Sequence, residues 1–402
     1  MAAKRAGNSK FLKEYNESVV LDLIRTNKAI SKAELSSITG LSATAMGVIT
    51  ASLIGKGYIH EMGTGESKGG RRPIMLELKP DSFYSAGIDM DTDYIKAVLM
   101  DITGKVVNNK CIDMLVPPSF DLVIKKAEKL VVKMLEEQSL DFSKLLGIGF
   151  SVPGMVDSLT HKIVLAPNLE WENADIRQSL TILGDIPSYV ENESMSSAIC
   201  ENWIGLCSNV GNFVCINIKS GIGAGIFTGG KLYRGTGGTA GEVGHISVDE
   251  NGPKCGCGNY GCLETVASSR SIVERARRLI KQGVVSSLNR FDDVEEIDLD
   301  AVIDASRSGD EAARNILNEA ARYIGIAVTN LVNTLNPSKI VLGKEFVKYA
   351  DLVIDIIKGV VECKALKDPA ERVEVVASEI GESASALGAA IIPLKVLFKY
   401  TL

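Results

Sequence analysis

The stretch Gly237–Glu264, GGTAGEVGHISVDENGPKCGCGNYGCLE, carries one of the chain's three histidines and three of its eight cysteines. One residue separates Cys255 from Cys257, four separate Cys257 from Cys262, and His245 stands ten positions before Cys255. Three thiols and an imidazole this close can wrap one tetrahedral Zn²⁺, and four protein ligands leave no position open to water. The spacing therefore favours a structural zinc held by His245, Cys255, Cys257 and Cys262. The alternative is a cysteine-containing loop that happens to follow a histidine. Gly252, Gly256, Gly258 and Gly261 let the backbone turn sharply between ligands.

Outside this run the composition bounds the answer. The chain has 402 residues, enough for two or three domains and a large core. No unbroken run of about 18 apolar residues marks a membrane span, and MAAKRAGNSK lacks the apolar core of a signal peptide. The expected compartment is the cytoplasm. Cys111, Cys200, Cys207, Cys215 and Cys363 are expected as reduced thiols in mostly apolar surroundings. The net charge of −6 is unevenly spread. Residues 1–80 hold twelve Lys/Arg against seven Asp/Glu, and the remainder holds 32 against 43. A basic head on an acidic body points the head toward a polyanion.

The head reads as a winged helix-turn-helix. Val19, Val20, Leu23 and Ile24 recur at helical spacing over residues 17–27. Ser31 opens a capping box with Glu34, so a short second helix is expected over about 32–38, with Leu35 and Ile38 inward. Gly40 makes a turn, and Ser42 caps a third helix. In that layout the N-terminal residues of the third helix, Ser42, Ala43, Thr44 and Met46, face the bases. Val48, Ile49, Leu53 and Ile54 are expected to pack inward. Two strands, near 58–62 and 74–78, flank a Gly-rich tip whose Lys68, Arg71 and Arg72 can reach phosphates or a narrow minor groove. The alternative for this segment is a three-helix protein-interaction module.

The run G-E-x-G-H followed by C-x-C-G-x-x-G-C-x-E resembles the signature of the ROK family, which contains repressors and sugar kinases. That resemblance implies an α/β architecture in which the winged head, residues 1–80, precedes a two-lobed actin-like ATPase fold. The expected lobes are 81–190, joined by a C-terminal helix over 383–402, and 191–382, with the zinc site and a dimer interface. It also implies sugar ligands: Asn168 of the run Pro167-Asn168-Leu169-Glu170-Trp171, then Asn192 and Glu193, Glu242, His245 and Glu264. A histidine can serve zinc through one ring nitrogen and a sugar hydroxyl through the other.

Fold does not settle chemistry. Phosphoryl transfer needs backbone N–H groups around phosphate and a carboxylate base. Where kinases of the family carry D-x-G-G-T, this chain has Asp89-Met90-Asp91-Thr92-Asp93, with both glycines gone and two carboxylates added. Their later Gly-Gly is Gly343-Lys344 here, and their Asn-Asp base is Asn192-Glu193. The longer glutamate shifts its carboxylate by about 1 Å, a misplacement that can cost orders of magnitude in rate. Ser220–Gly225 remains as a phosphate-like Gly-rich loop, which alone is weak evidence. The expected protein is a sugar-responsive repressor without catalysis, similar to the xylose-repressor branch. Its expected partners are operator DNA, a monosaccharide and a second copy of itself in a dimer or tetramer. The alternatives are an active sugar kinase with an accessory DNA-binding head, and a regulator controlled by a partner protein.

Overall fold

Three helices, Ser9–Asn27, Lys32–Thr39 and Ala43–Gly55, form the head with short strands at Ile30–Ser31, Ile59–Thr64 and Ile74–Leu78. The computed structural model describes residues 9–64, 73–114, 119–157 and 160–398. Lys68, Arg71 and Arg72 therefore lie outside the described residues. The second helix starts as its sequence dictates. Ser31 accepts from the Glu34 N–H, and the Glu34 carboxylate accepts from the Ser31 N–H at 2.9 Å. Gly40 ends it at φ 72°, and the second and third helices meet at 117°. Buried Glu17 ties the first helix to the third through Ser52 Oγ (2.8 Å) and Lys56.

Three expectations about facing are corrected. Met46 is fully buried and Val48 is 61% exposed. The third helix buries Met46, Ile49, Thr50 and Leu53, the i, i+3, i+4, i+7 stripe, and Val48 lies opposite it. Ile38 is also exposed, because the inward line of the second helix runs through Ser31, Leu35 and Thr39. The Ile59–Thr64 and Ile74–Leu78 strands pair antiparallel, from Ile59 opposite Leu78 to Thr64 opposite Ile74.

The chain divides into two compact units. The first takes the described residues of Met1–Val152, Ser158–Glu191 and Ala389–Leu402. Its main sheet has five strands in the order Ser188–Asn192, Leu145–Val152, Tyr84–Met90, Tyr94–Asp101, Val106–Asp113. Tyr84–Met90 is buried on every residue, as a central strand covered on both faces should be. It runs parallel to Leu145–Val152 and antiparallel to Tyr94–Asp101. The glycine in LGIGF has a packing cause: a Cβ at Gly149 would overlap the carbonyl of Ala389 in the helix Ala384–Phe398. Arg25 of the head stacks on Phe398 of the same helix, 5.7 Å from the ring centre.

The second unit takes Pro153–Asp157 and Asn192–Gly388. Its sheet runs Lys231–Tyr233, Ile222–Thr228, Phe213–Ile218, Lys339–Lys344, Glu374–Ala377. The first three strands are antiparallel and the last three parallel. The long helix Glu311–Leu335 buries Ala313, Ile316, Leu317, Ala320, Ala321, Ile324 and Val328 in the core of this unit. The Gly-rich run Ser220–Gly225 is mostly strand: Gly223 and Gly225 pair with Asn217 and Cys215. Their glycines admit the helix Glu193–Trp203, since a Cβ at Gly225 would overlap Ala198.

Cys200, Cys207 and Cys215 are buried, and burial pushes their thiols up, Cys207 to about 12. Cys111 and Cys363 depart from the expected setting, for both are exposed; Cys111 sits in the outward phase of an edge strand. Among the described residues one helical stretch, Gly381–Phe398, is long and apolar enough to cross a membrane, and 61% of it is buried inside the protein. Glu382 and Lys395 interrupt it.

Candidate metal and effector site

The Gly237–Glu264 run folds as a turn, a knuckle and a helix. Val243–His245 is a single 3-10 turn. Ser247 bridges to Cys262 and Lys254 to Tyr260, and Cys255 N–H donates to Asn259 O at 2.8 Å. Gly261, at φ 61°, closes the knuckle where a Cβ would overlap the carbonyl of Asp249. The helix Leu263–Ala267 follows directly.

One ligand atom from each of His245, Cys255, Cys257 and Cys262 lies within 4.8 Å of every other. Cys255 Sγ is 3.6 Å from His245 Nδ1, and Cys257 Sγ is 3.7 Å from Cys262 Sγ. Bonds of roughly 2.3 Å to sulfur and roughly 2.0 Å to nitrogen put tetrahedral donors roughly 3.8 Å (S to S) and roughly 3.5 Å (S to N) apart. The donor set therefore fits a Zn²⁺-sized ion. Its electrostatics agree: burial and the neighbouring thiols push Cys262 up to about 12, while the Asn259 N–H and the other thiols lower Cys257. Packed thiols resist joint ionisation unless a cation compensates them.

Glu242, His245 and Glu264 come together beside this knuckle. Burial raises the Glu242 carboxyl, His245 opposes that, and Glu264 adds to it. Glu264 Oε2 accepts from the Ile222 N–H at 3.0 Å, so the carboxylate is fixed at the start of that strand. Asn192 caps the helix Glu193–Trp203: its oxygen accepts from Ser194 and Met195 N–H, and its NH₂ donates to Gly154 O at 2.8 Å. Glu193 occupies the first turn of that helix. Asn168 is exposed on the 3-10 turn Pro167–Leu169 and belongs to the other unit.

The other positions checked against kinase chemistry have structural partners. Asp89 is buried and accepts from Ser151 Oγ (2.8 Å) and the Tyr94 hydroxyl (2.9 Å). Asp91 N–H donates to Tyr94 O, and its carboxylate accepts from the Thr92 N–H at 2.7 Å, making a tight hairpin turn. Asp93 is exposed. Lys344 is 2% exposed, with Nζ 2.7 Å from Glu193 Oε1 and 2.6 Å from Ser385 Oγ. Sequence reasoning missed that pair, since nothing local links residue 193 to residue 344. On the head, Ser42, Ala43 and Thr44 are exposed, and buried Met46 leaves the base-facing set.

The ROK family profile matches residues 85–396. The xylose repressor of Caldicellulosiruptor bescii is 32% identical over 382 residues, 95% of this chain and 96% of that protein. A solved ROK family transcriptional regulator, a homologue of the E. coli MLC protein, superimposes with a TM-score of 0.85 at 28% identity, covering 96% of this chain and 97% of its own. A ROK family glucokinase from Streptomyces griseus, solved with glucose and AMPPNP, gives 0.66 at 26% identity, covering 76% of this chain and 98% of its own.

Proposed function

Because the chain belongs to the ROK family, we propose that it is a sugar-responsive transcriptional repressor in which a basic head binds operator DNA and the body binds a monosaccharide without phosphorylating it. One observation carries this reading. The regulator matches the head together with the body, whereas the glucokinase spans only 76% of the chain. Phosphoryl transfer does not call on the extra helices; operator binding does.

The head, residues 1–80, reads DNA through Ser42, Ala43 and Thr44. Val48 joins them: it lies one turn after Thr44 on the exposed side of the helix and offers a methyl contact to thymine. Lys68, Arg71 and Arg72 add phosphate or minor-groove contacts. The chain acts on a pseudo-palindromic site as a homodimer, in the cytoplasm. Zinc held by His245, Cys255, Cys257 and Cys262 fixes the knuckle. His245 binds it through Nδ1, the nitrogen nearest Cys255, and donates its other ring N–H to the sugar. Asn192, Glu193, Glu242 and Glu264 complete the sugar ligands of this unit, and xylose is the first effector to test. The turn around Asp91 and the Lys344–Glu193 pair disfavour phosphoryl transfer, because neither a phosphate cradle nor an unpaired base stands there.

The test is a thermal-shift screen of D-xylose, D-glucose and N-acetyl-D-glucosamine, followed by a coupled phosphorylation assay with ATP. Binding without turnover is expected. Turnover of about 10 s⁻¹, a typical enzyme rate, makes the chain a kinase instead.

A further inference from the structure

We propose that Lys344 is a positioning residue: a buried, tethered cation that fixes the Glu193 carboxylate for the effector and occupies a strained backbone conformation to do so. The proposal rests on the reading of Glu193 as an effector ligand.

Lys344 ends the strand Lys339–Lys344, whose neighbours Phe213–Ile218 and Glu374–Ala377 run parallel to it. The carboxyl ends of parallel strands are where open α/β sheets bind ligands. Helix Glu193–Trp203 places its first residue against this end. Lys344 has φ 61° and ψ −137°, a region that glycine ordinarily occupies. Lysine is almost never fully buried without a partner, and here Glu193 Oε1 and Ser385 Oγ both meet its Nζ. Ser385 is itself fully buried.

The main chain of Glu193 is held as well. Ser197 Oγ donates to Glu193 O at 3.1 Å, and Asn217 Nδ2 donates to Ser197 Oγ at 2.8 Å. The Glu193 side chain nevertheless keeps 17% exposure while that of Lys344 keeps 2%. The pair is thus closed on the lysine side and open on the carboxylate side.

A merely structural role does not explain this arrangement. Glycine at 344 with a neutral residue at 193 would fill the same backbone without strain and without a buried charge. Strained residues that persist in a fold concentrate at functional sites, at a cost in stability. The ammonium meets the Glu193 carboxylate at 2.7 Å and sets its orientation. A carboxylate held there accepts hydrogen bonds from sugar hydroxyls through its remaining lone pairs.

The experiment uses the full chain as Lys344→Gly, Glu193→Gln and the double variant. Thermal unfolding is followed without sugar, and D-xylose, D-glucose and N-acetyl-D-glucosamine are titrated by calorimetry. Lys344→Gly relieves the backbone but takes the ammonium from a partly buried carboxylate, so it is expected to melt no higher than wild type. The double variant is expected to melt above wild type and to bind the tightest of the three sugars about tenfold more weakly or worse. A double variant that melts below wild type makes the pair structural and overturns the proposal. Wild-type sugar affinity in Lys344→Gly overturns the role of Lys344 alone. Failure of the wild type to bind any of the three sugars overturns the effector reading, and the role of Lys344 with it.

Discussion

Gly261 and Lys344 share a φ of 61° and owe it to opposite causes. At Gly261 the backbone decides the residue, because a Cβ would overlap the Asp249 carbonyl in a knuckle that must close around four ligand atoms. At Lys344 the residue imposes on the backbone, because its side chain reaches Glu193 and Ser385. The first is a steric requirement that no side chain satisfies. The second is a strain that the ion pair does not fully offset. Substituting each residue by what the other position tolerates separates the two.

The largest effect is expected at the knuckle. Gly261→Ala should disrupt the ligand geometry and lose the metal, as should Cys257→Ser; wild type should purify with about one Zn²⁺ per chain. Elemental analysis decides. A Gly261→Ala protein that keeps its zinc breaks the contrast with Lys344.

The next effect lies in the head, where one helix has two faces. Met46→Ala removes a fully buried side chain and should cost about 2–5 kcal/mol of head stability. Val48→Ala, on the exposed face, should stay within about 0.5 kcal/mol while weakening operator binding. Chemical denaturation paired with a DNA titration reads both.

These two positions also mark where the sequence was legible. Phe213–Ile218 and Ile74–Leu78 were readable to the residue because branched and aromatic runs bounded by turns have few alternatives. The Ser31–Glu34 box was readable because both partners lie within one turn of helix. The clustering of His245, Cys255, Cys257 and Cys262 was readable from spacing. ATAMGVITASLIG showed a helix but not its phase, since it is apolar nearly all round and only tertiary contacts select the buried stripe. Ser220–Gly225 looked like a phosphate loop because Gly223 and Gly225 answer to a helix starting at residue 193 rather than to their own neighbours. The Lys344–Glu193 pair was illegible for the same reason: it spans the unit and leaves no local pattern.

Smaller effects should separate head from body. Arg72→Ala should weaken operator binding and reduce the salt slope by about 1, with sugar affinity unchanged. Glu264→Ala should do the reverse, because its carboxylate sits on the Ile222 N–H within the body. A variant that loses both properties together would show that the two functions are not separable.

The smallest effect is a pH dependence. Burial alone would raise Asp310, but N–H donors from Ala313 and Ser287 and the Ser286 hydroxyl hold it down to about 2. Its folded value lies below its unfolded one, so its contribution is present above about pH 4 and is lost as pH falls toward 2. Asp310→Asn should flatten the stability profile of the body in that window. An unchanged profile would remove this cap from the account.

The central claim, that a sugar in the body sets the grip of the head on DNA, is tested most directly by fluorescence anisotropy. The labelled duplex is the DNA upstream of the chain's own coding sequence, titrated with and without a saturating sugar found by screening. The account predicts a shift in operator affinity of about 1–3 kcal/mol, the usual scale of coupling between two sites, and its loss in Glu264→Ala. A sugar that binds the wild type and leaves its operator affinity unaltered contradicts it.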